Sequence, residues 1–153
     1  KVELIGFLNN LKKTLSNNNF FLEIEPQEKE IFLEINKNKF IQVIHNILDN
    51  SSSYISQNSS ILIYLKLKDA NCIIHFVDQG PGIHLDYKDK IFERFYTDRS
   101  INRNTHSGLG LSISKKIIEG LGGTITLIKS PHLGFQGACF EIKLPLKETS
   151  KNH

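Results

Sequence analysis

The sequence predicts a two-layer α/β (α+β) sandwich, with one mixed β-sheet packed on one face by about three helices. Three observations carry this prediction. Strand-like runs come in adjacent pairs between helical stretches, so the sheet is not purely parallel. Three stretches, near 1–15, 39–55 and 108–121, repeat apolar residues at helical spacing. The 153 residues, 39% hydrophobic and 23% charged, suffice for one core, and 1–147 reads as a single domain without repeats.

In chain order, Val2, Leu4, Ile5, Leu8, Leu11 and Leu15 predict a helix over 1–15, broken by Ser16-Asn17-Asn18-Asn19. Residues 20–25 and 30–35 read as two short strands, with Pro26 marking the turn between them. Phe40, Val43, Ile44, Ile47, Leu48 and Ile55 share one face of the next helix. Residues 61–68 alternate, Asp69-Ala70-Asn71 makes a hairpin turn, and 72–77 is a continuous apolar run typical of a buried strand. Residues 84–107 lack periodicity. Phe92, Phe95 and Tyr96 form an aromatic cluster there, and 98–107 reads as a mobile loop. Gly108-Leu109-Gly110 opens a helix with Ile113, Ile117 and Leu121 inward, and Gly122-Gly123 stops it. Residues 124–129 and 138–144 close the sheet, Pro145 ends the last strand, and 148–153 reads as a disordered tail.

Composition narrows the function classes. A net charge of +3 is too small to argue for nucleic acid, and the dispersed lysines read as a solvated surface, so no nucleic acid is expected as a partner. Cys72 and Cys139 lie in strand-like runs without Cys-x-x-Cys or zinc spacing, so both read as small buried hydrophobes in a reducing compartment. No apolar run reaches membrane-spanning length, and no signal peptide pattern is present. The chain has no Met and starts abruptly within a helical pattern. It therefore reads as an excised fragment, expected in the cytoplasm from its cysteines, with any membrane contact left to missing segments of its parent.

Three constellations carry chemistry. The first is Asp78-Gln79-Gly80-Pro81-Gly82-Ile83 at the mouth of the apolar strand. Gly80 and Gly82 let a flat ligand approach the backbone, and ionised Asp78 accepts hydrogen bonds only. The same residues also describe an ordinary strand-ending turn. The second is Asn46, Asn50 and Tyr54, spaced by four along one edge of a helix. Asn disfavours helix interiors; an amide oxygen suits magnesium, and neighbouring backbone is the other use for it. The third is Gly108-Leu109-Gly110-Leu111 before a helix, where free N–H groups and the helix dipole attract polyphosphate, although close packing also favours glycine there.

In this order the pieces resemble the ATP-binding catalytic domain of sensor histidine kinases, in the gyrase/Hsp90/histidine kinase/MutL superfamily with its Bergerat-type fold. Asn36-x-x-Lys39-Phe40-x-Gln42-Val43 through Asn50 resembles the run into the N box. Asp78-x-Gly80-x-Gly82-Ile83 resembles the G1 box, Ile91-Phe92-Glu93-Arg94-Phe95-Tyr96 the F box, and Gly108-Leu109-Gly110-Leu111-Ser112-Ile113 the G2 box. Gly137-Ala138-Cys139-Phe140 through Leu144-Pro145 resembles the closing strand.

The resemblance implies cofactors ATP and Mg²⁺. It implies that Asp78 binds the adenine amine beside Gly80, Gly82 and Ile83. Asn50 and Asn46 would hold magnesium, Tyr54 would pack on the nucleotide, and Gly108, Leu109, Gly110 and Leu111 would meet the phosphates. Residues 84–107 would form the ATP lid, with Phe92 and Phe95 anchoring it and facing partner helices. The implied partners are phosphoacceptor and dimerisation helices of the same kinase, absent from this fragment, and a response regulator downstream. The sequence departs from the pattern at Asn36, Ser51, Ser53, Thr97 and His106. Arg94, Arg99 or Arg103 would then supply the charge of the lysine missing at Ser53. The implied activity is transfer of the ATP γ-phosphoryl to a histidine on the separate domain. The alternatives are a binding or docking module without kinase activity and an ATPase of the same superfamily. The latter uses a Glu base where this chain has Asn46.

Overall fold

The computed structural model describes residues 2–14, 20–24, 30–52, 60–94 and 110–146, with 20–24 and 50–52 as backbone only. The expected disordered tail, Tyr54, Gly108, Leu109, Phe95 and most of the expected lid lie outside these residues. The elements run β1 (Val2–Glu3), α1 (Leu4–Thr14), β2 (Phe20–Ile24), β3 (Phe32–Leu33), α2 (Lys37–Ser52), β4 (Ile61–Lys68) and β5 (Asn71–Val77). Two short 3₁₀ turns at Leu85–Tyr87 and Lys90–Phe92 follow, then α3 (Gly110–Gly120), β6 (Thr124–Ile128) and β7 (Cys139–Pro145).

The main sheet has the order β2-β4-β5-β7-β6. β2 is parallel to β4 and every other pair is antiparallel, as the paired strands predict. The β4–β5 hairpin turns through Asp69 and Ala70, both at positive φ, a primed turn that matches the twist of the strands. Every residue of β5 after Asn71 is buried, as expected of a central strand. The inner face sets Ile63, Leu65, Ile74, Phe76, Phe140 and Ile142 against Leu8 of α1, Phe40, Ile44 and Ile47 of α2, and Ile118 of α3. The outer face carries a smaller cluster of Leu62, Val77 and Cys139, with Tyr64, Ile128 and Phe135 packed on it. Both thiols are free; burial raises Cys72 to about 12, and burial followed by the charges of Glu141 and Asp78 raises Cys139 to about 12.

The helix ends are chemically specified. Asn36 caps α2: its Oδ1 accepts from Lys39 N at 3.1 Å and its carbonyl from Phe40 N at 2.9 Å. At the end of α3, Gly122 (φ 82°) donates to Glu119 O and Gly123 to Ile118 O, the paired bonds of a Schellman stop.

Four expectations need correction. Val2–Glu3 is a strand rather than the first helical turn, because Glu3 ends the helix instead of entering it. The two early strands are not joined in a hairpin. β2 pairs with β4, whereas β3 pairs with β1 in a separate two-stranded sheet, where Glu3 accepts from Ile31 N and Leu4 N donates to Ile31 O. Along α3 and just past it, Ile117 and Leu121 pack against the core as expected, but Ile113 is 36% exposed, and the buried positions are Ser112, Ser114 and Ile118. Ser114, buried between α3 and α2, accepts from Asn46 Nδ2 and donates to Gly110 O, so a polar contact occupies part of the inward face. Phe92 does not face outward to partner helices. It is buried edge-on against Phe140, at 6.3 Å between ring centroids, with Lys115 Nζ 5.6 Å from its ring.

Glu3 joins the N-terminal elements. Its Oε2 accepts from Ile5 N at 3.0 Å and Ile31 N at 3.1 Å, and its Oε1 from Gly6 N at 2.8 Å. With Leu4 N donating to Ile31 O, the first three N–H groups of α1 are all satisfied. Burial pulls this carboxyl up, but the backbone N–H groups of Gly6, Ile31 and Ile5 outweigh it and hold the group below the ordinary 4.5. A carboxylate depressed in the folded state stabilises fully above its unfolded pKa and loses that contribution as pH falls through the folded one. Glu3→Ala is expected to cost about 1 kcal/mol at pH 7, as loss of a helix cap does. In urea unfolding, the gap to the parent protein should narrow below pH 4.5; a gap that stays constant there would assign the effect to packing rather than charge.

Candidate functional site

Asp78 leaves the central strand and is 1% exposed. Its backbone extends the β5–β7 ladder by one rung, with Asp78 N on Ala138 O at 3.2 Å and Gly137 N on Asp78 O at 3.0 Å. Its Oδ1 accepts from Gly80 N and Ala138 N, both at 3.0 Å. Backbone donors thus offset the cost of burying the carboxylate and fix its direction. Gly82 adopts φ 80°, which closes the turn after Pro81. Ile83 is partly buried against the core. A groove of about 340 Å³ runs beside this turn, lined by Gly82, Ile83, Leu127, Lys129, Gly137 and Ala138. It lies on the β6 side, and Asn46 and Gly110 are not among its walls.

Asn46 sits on α2 with its side-chain amide turned to α3. Its Nδ2 donates to Gly110 O at 3.0 Å and to Ser114 Oγ at 3.1 Å, while Ser114 Oγ donates to Gly110 O at 2.9 Å. A Cβ at Gly110 would lie 3.4 Å from Asn46 Oδ1, an ordinary van der Waals contact, so the two helices are in close contact at this point. The residue expected as a metal ligand therefore also joins the second constellation to the third. Asn50 lies one helical turn further along α2, where the backbone alone is described. Leu111 packs against the core beside Gly110.

Topology brings these parts to one end of the sheet. Ile128 of β6 pairs with Cys139 of β7, which pairs with Val77 immediately before Asp78. α3 enters β6 at the opposite end, through Gly122-Gly123, and runs back along the sheet. Its N-terminus, with the positive end of its dipole, therefore lies toward the end of the sheet where Asp78 sits.

Sequence reasoning missed Gly137 as part of the site and assigned it only to a closing strand. A Cβ there would stand 1.8 Å from Asp78 Oδ1 and 2.8 Å from Gly80 N. The local signal was a glycine directly before a strand, which identifies no partner. Gly137→Ala is expected to destabilise the fold by about 1–3 kcal/mol, as overpacking does. Gly120→Ala, with open space around the new Cβ at the end of α3, should be neutral or slightly stabilising. Thermal unfolding of both variants tests the contrast, and equal effects would remove the special role of Gly137.

The profile of the "Histidine kinase-, DNA gyrase B-, and HSP90-like ATPase" family matches residues 35–148. The sensor protein ChvG of Agrobacterium fabrum is 39% identical over 113 residues, which is 71% of this chain and 19% of that protein. Among solved structures, the mycobacterial sensor histidine kinase MprB has the same fold, with TM-score 0.78, 23% identity, and 94% of this chain and 96% of that one covered. The nucleotide-free catalytic domain of histidine kinase ThkA matches at TM-score 0.77 and 24% identity over 95% of this chain and 94% of that one. ThkA in complex with the response regulator TrrA matches at TM-score 0.72 and 23% identity over 95% of this chain and 41% of that one. The chain therefore belongs to the histidine kinase-, DNA gyrase B- and HSP90-like ATPase family, as its sequence motifs suggest.

Proposed function

We propose that this chain is the ATP- and Mg²⁺-binding catalytic domain of a sensor histidine kinase, spanning residues 1–147, which directs the γ-phosphoryl of ATP to a histidine on separate dimerisation helices. The observation that carries the reading is the buried Asp78 carboxylate, held by backbone donors at the end of the sheet toward which the N-terminus of α3 points. Asp78 orients the base by accepting from the adenine amine, with Gly80, Gly82 and Ile83 forming the wall beside it. Gly108, Leu109, Gly110 and Leu111 present backbone N–H groups to the phosphates. Asn50 and Asn46 offer amide oxygens to Mg²⁺, which would neutralise phosphate charge, and Tyr54 packs on the nucleotide. The neutral oxygen donors fit a hard cation that shares its shell with phosphate and water. Asn46 also keeps the N-terminus of α3 beside α2. The chain's work is then positioning and charge neutralisation.

The hydrolytic alternative is disfavoured. Asn46 stands where a water-activating Glu would be needed, and its amide is a donor to α3 rather than a base. A response regulator downstream is the partner consistent with the ThkA–TrrA complex. No helix among the described residues is long and apolar enough to cross a membrane, in keeping with a cytosolic placement in the parent protein.

Two measurements test the reading. ATP is expected to bind about tenfold or more tightly than GTP, because guanine opposes a carbonyl to the Asp78 acceptor; Asp78→Asn should abolish that preference. Equal affinities by calorimetry in the parent protein would sink the base assignment. Asn50→Ala should remove the magnesium-dependent part of ATP binding and leave the chelator-treated affinity and the unfolding midpoint in place. Unaltered Mg-ATP binding would transfer the metal role to Asn46. Phosphotransfer by the full-length chain then separates a kinase from a binding or docking module.

A further inference from the structure

Gln79, between Asp78 and Gly80, is exposed and looks like the unconstrained position of the turn. Its side chain is nevertheless committed at both ends. Oε1 accepts from Ser60 N at 2.7 Å, and Nε2 donates to Gly134 O at 3.1 Å. These partners lie 19 and 55 residues away in sequence. One is a backbone donor and the other a backbone acceptor, so the amide has a single satisfactory orientation. Ser60 is the residue that enters β4. Gly134 belongs to the loop between β6 and β7.

That loop is compact and docked. Ser130 Oγ donates to Phe135 O and accepts from His132 N, and Gln136 Nε2 donates to His132 O. His132 fixes the loop to the outer face of the sheet. Its Nε2 is 2.9 Å from His75 Nδ1, while His75 Nε2 is 2.8 Å from Glu141 Oε2. The His132 ring also lies 4.8 Å from that of Tyr64. The far end of the same loop supplies Gly137 and Ala138, whose N–H groups bind Asp78 O and Oδ1. From Asp78 to Gln79, to Gly134 and along the loop to Ala138, the hydrogen bonds close a ring around the carboxylate.

We propose that Gln79 is a positioning residue for base recognition. By tying Gly134 to the turn, it sets the N–H donors that aim the Asp78 carboxylate, and it governs base selectivity rather than phosphate affinity. This rests on the reading of Asp78 as the base acceptor. Gln79→Leu removes both bonds at similar volume. Gln79→Glu keeps an acceptor for Ser60 but sets a carboxylate against the Gly134 carbonyl. The test is calorimetric affinity for ATP, for ITP (a carbonyl in place of the amine) and for inorganic tripolyphosphate. In both variants the ATP preference over ITP should fall roughly three- to tenfold, with tripolyphosphate affinity unchanged. A preference equal to that of the parent in both variants overturns the proposal and leaves the Asp78 reading standing. Proportional loss of all three ligands, or failure of both variants to fold, makes Gln79 merely structural and overturns it too. If the parent itself does not distinguish ATP from ITP, the Asp78 reading fails, and the role of Gln79 falls with it.

Discussion

The carboxylate of Asp78 is buried at the end of the central strand, and a charge in that position survives only if donors surround it. Two of those donors come from opposite sides. Gly80 lies on its own turn and Ala138 at the start of the neighbouring strand, 60 residues later. The second bond requires β7 to begin hard against Asp78, and that approach leaves no room for a side chain at Gly137. The start of β7, the end of the β6–β7 loop and the turn through Gly80 all meet the hydrogen-bonding demands of this one residue. A neutral residue at position 78 would relax each of these demands.

A second polar tie, between helices, has the same character. α2 and α3 pack through apolar faces, but apolar packing tolerates sliding and rotation. The Asn46 amide, bonded to both Gly110 O and Ser114 Oγ, does not. It joins the first turn of α3 to α2. The core supplies most of the stabilisation, while these directional contacts select one arrangement among several of similar apolar burial.

The outer face of the sheet adds a feature the two-layer description leaves out. Leu62, Val77 and Cys139 are buried there with Phe135 of the β6–β7 loop packed on them, and His75 is 3% exposed in a chain that includes Glu141 and His132. The loop that covers this cluster also delivers Gly137 and Ala138 to Asp78, so packing on one face of the sheet bears on the site at its end.

The sequence by itself determined the mixed sheet, the three helices and most of their apolar positions, the hairpin at Asp69-Ala70, the glycine stop after α3 and Asp78 at the strand mouth. These are local properties: periodicity of two or 3.6, turn chemistry and capping are written in neighbouring residues. It also recorded the order of motifs, on which the family resemblance rests. Tertiary structure alone decided that β3 pairs with β1 rather than β2, that Phe92 turns inward onto Phe140, that Asn46 reaches Gly110, and that Gly137 stands against Asp78. Each of these depends on groups brought together from distant parts of the chain: Glu3 with Ile31, Phe92 with Phe140, α2 with α3, Asp78 with the β7 strand. A glycine or an asparagine carries no local mark of the partner it will meet, because the requirement for it arises only when two remote backbones come within hydrogen-bonding distance.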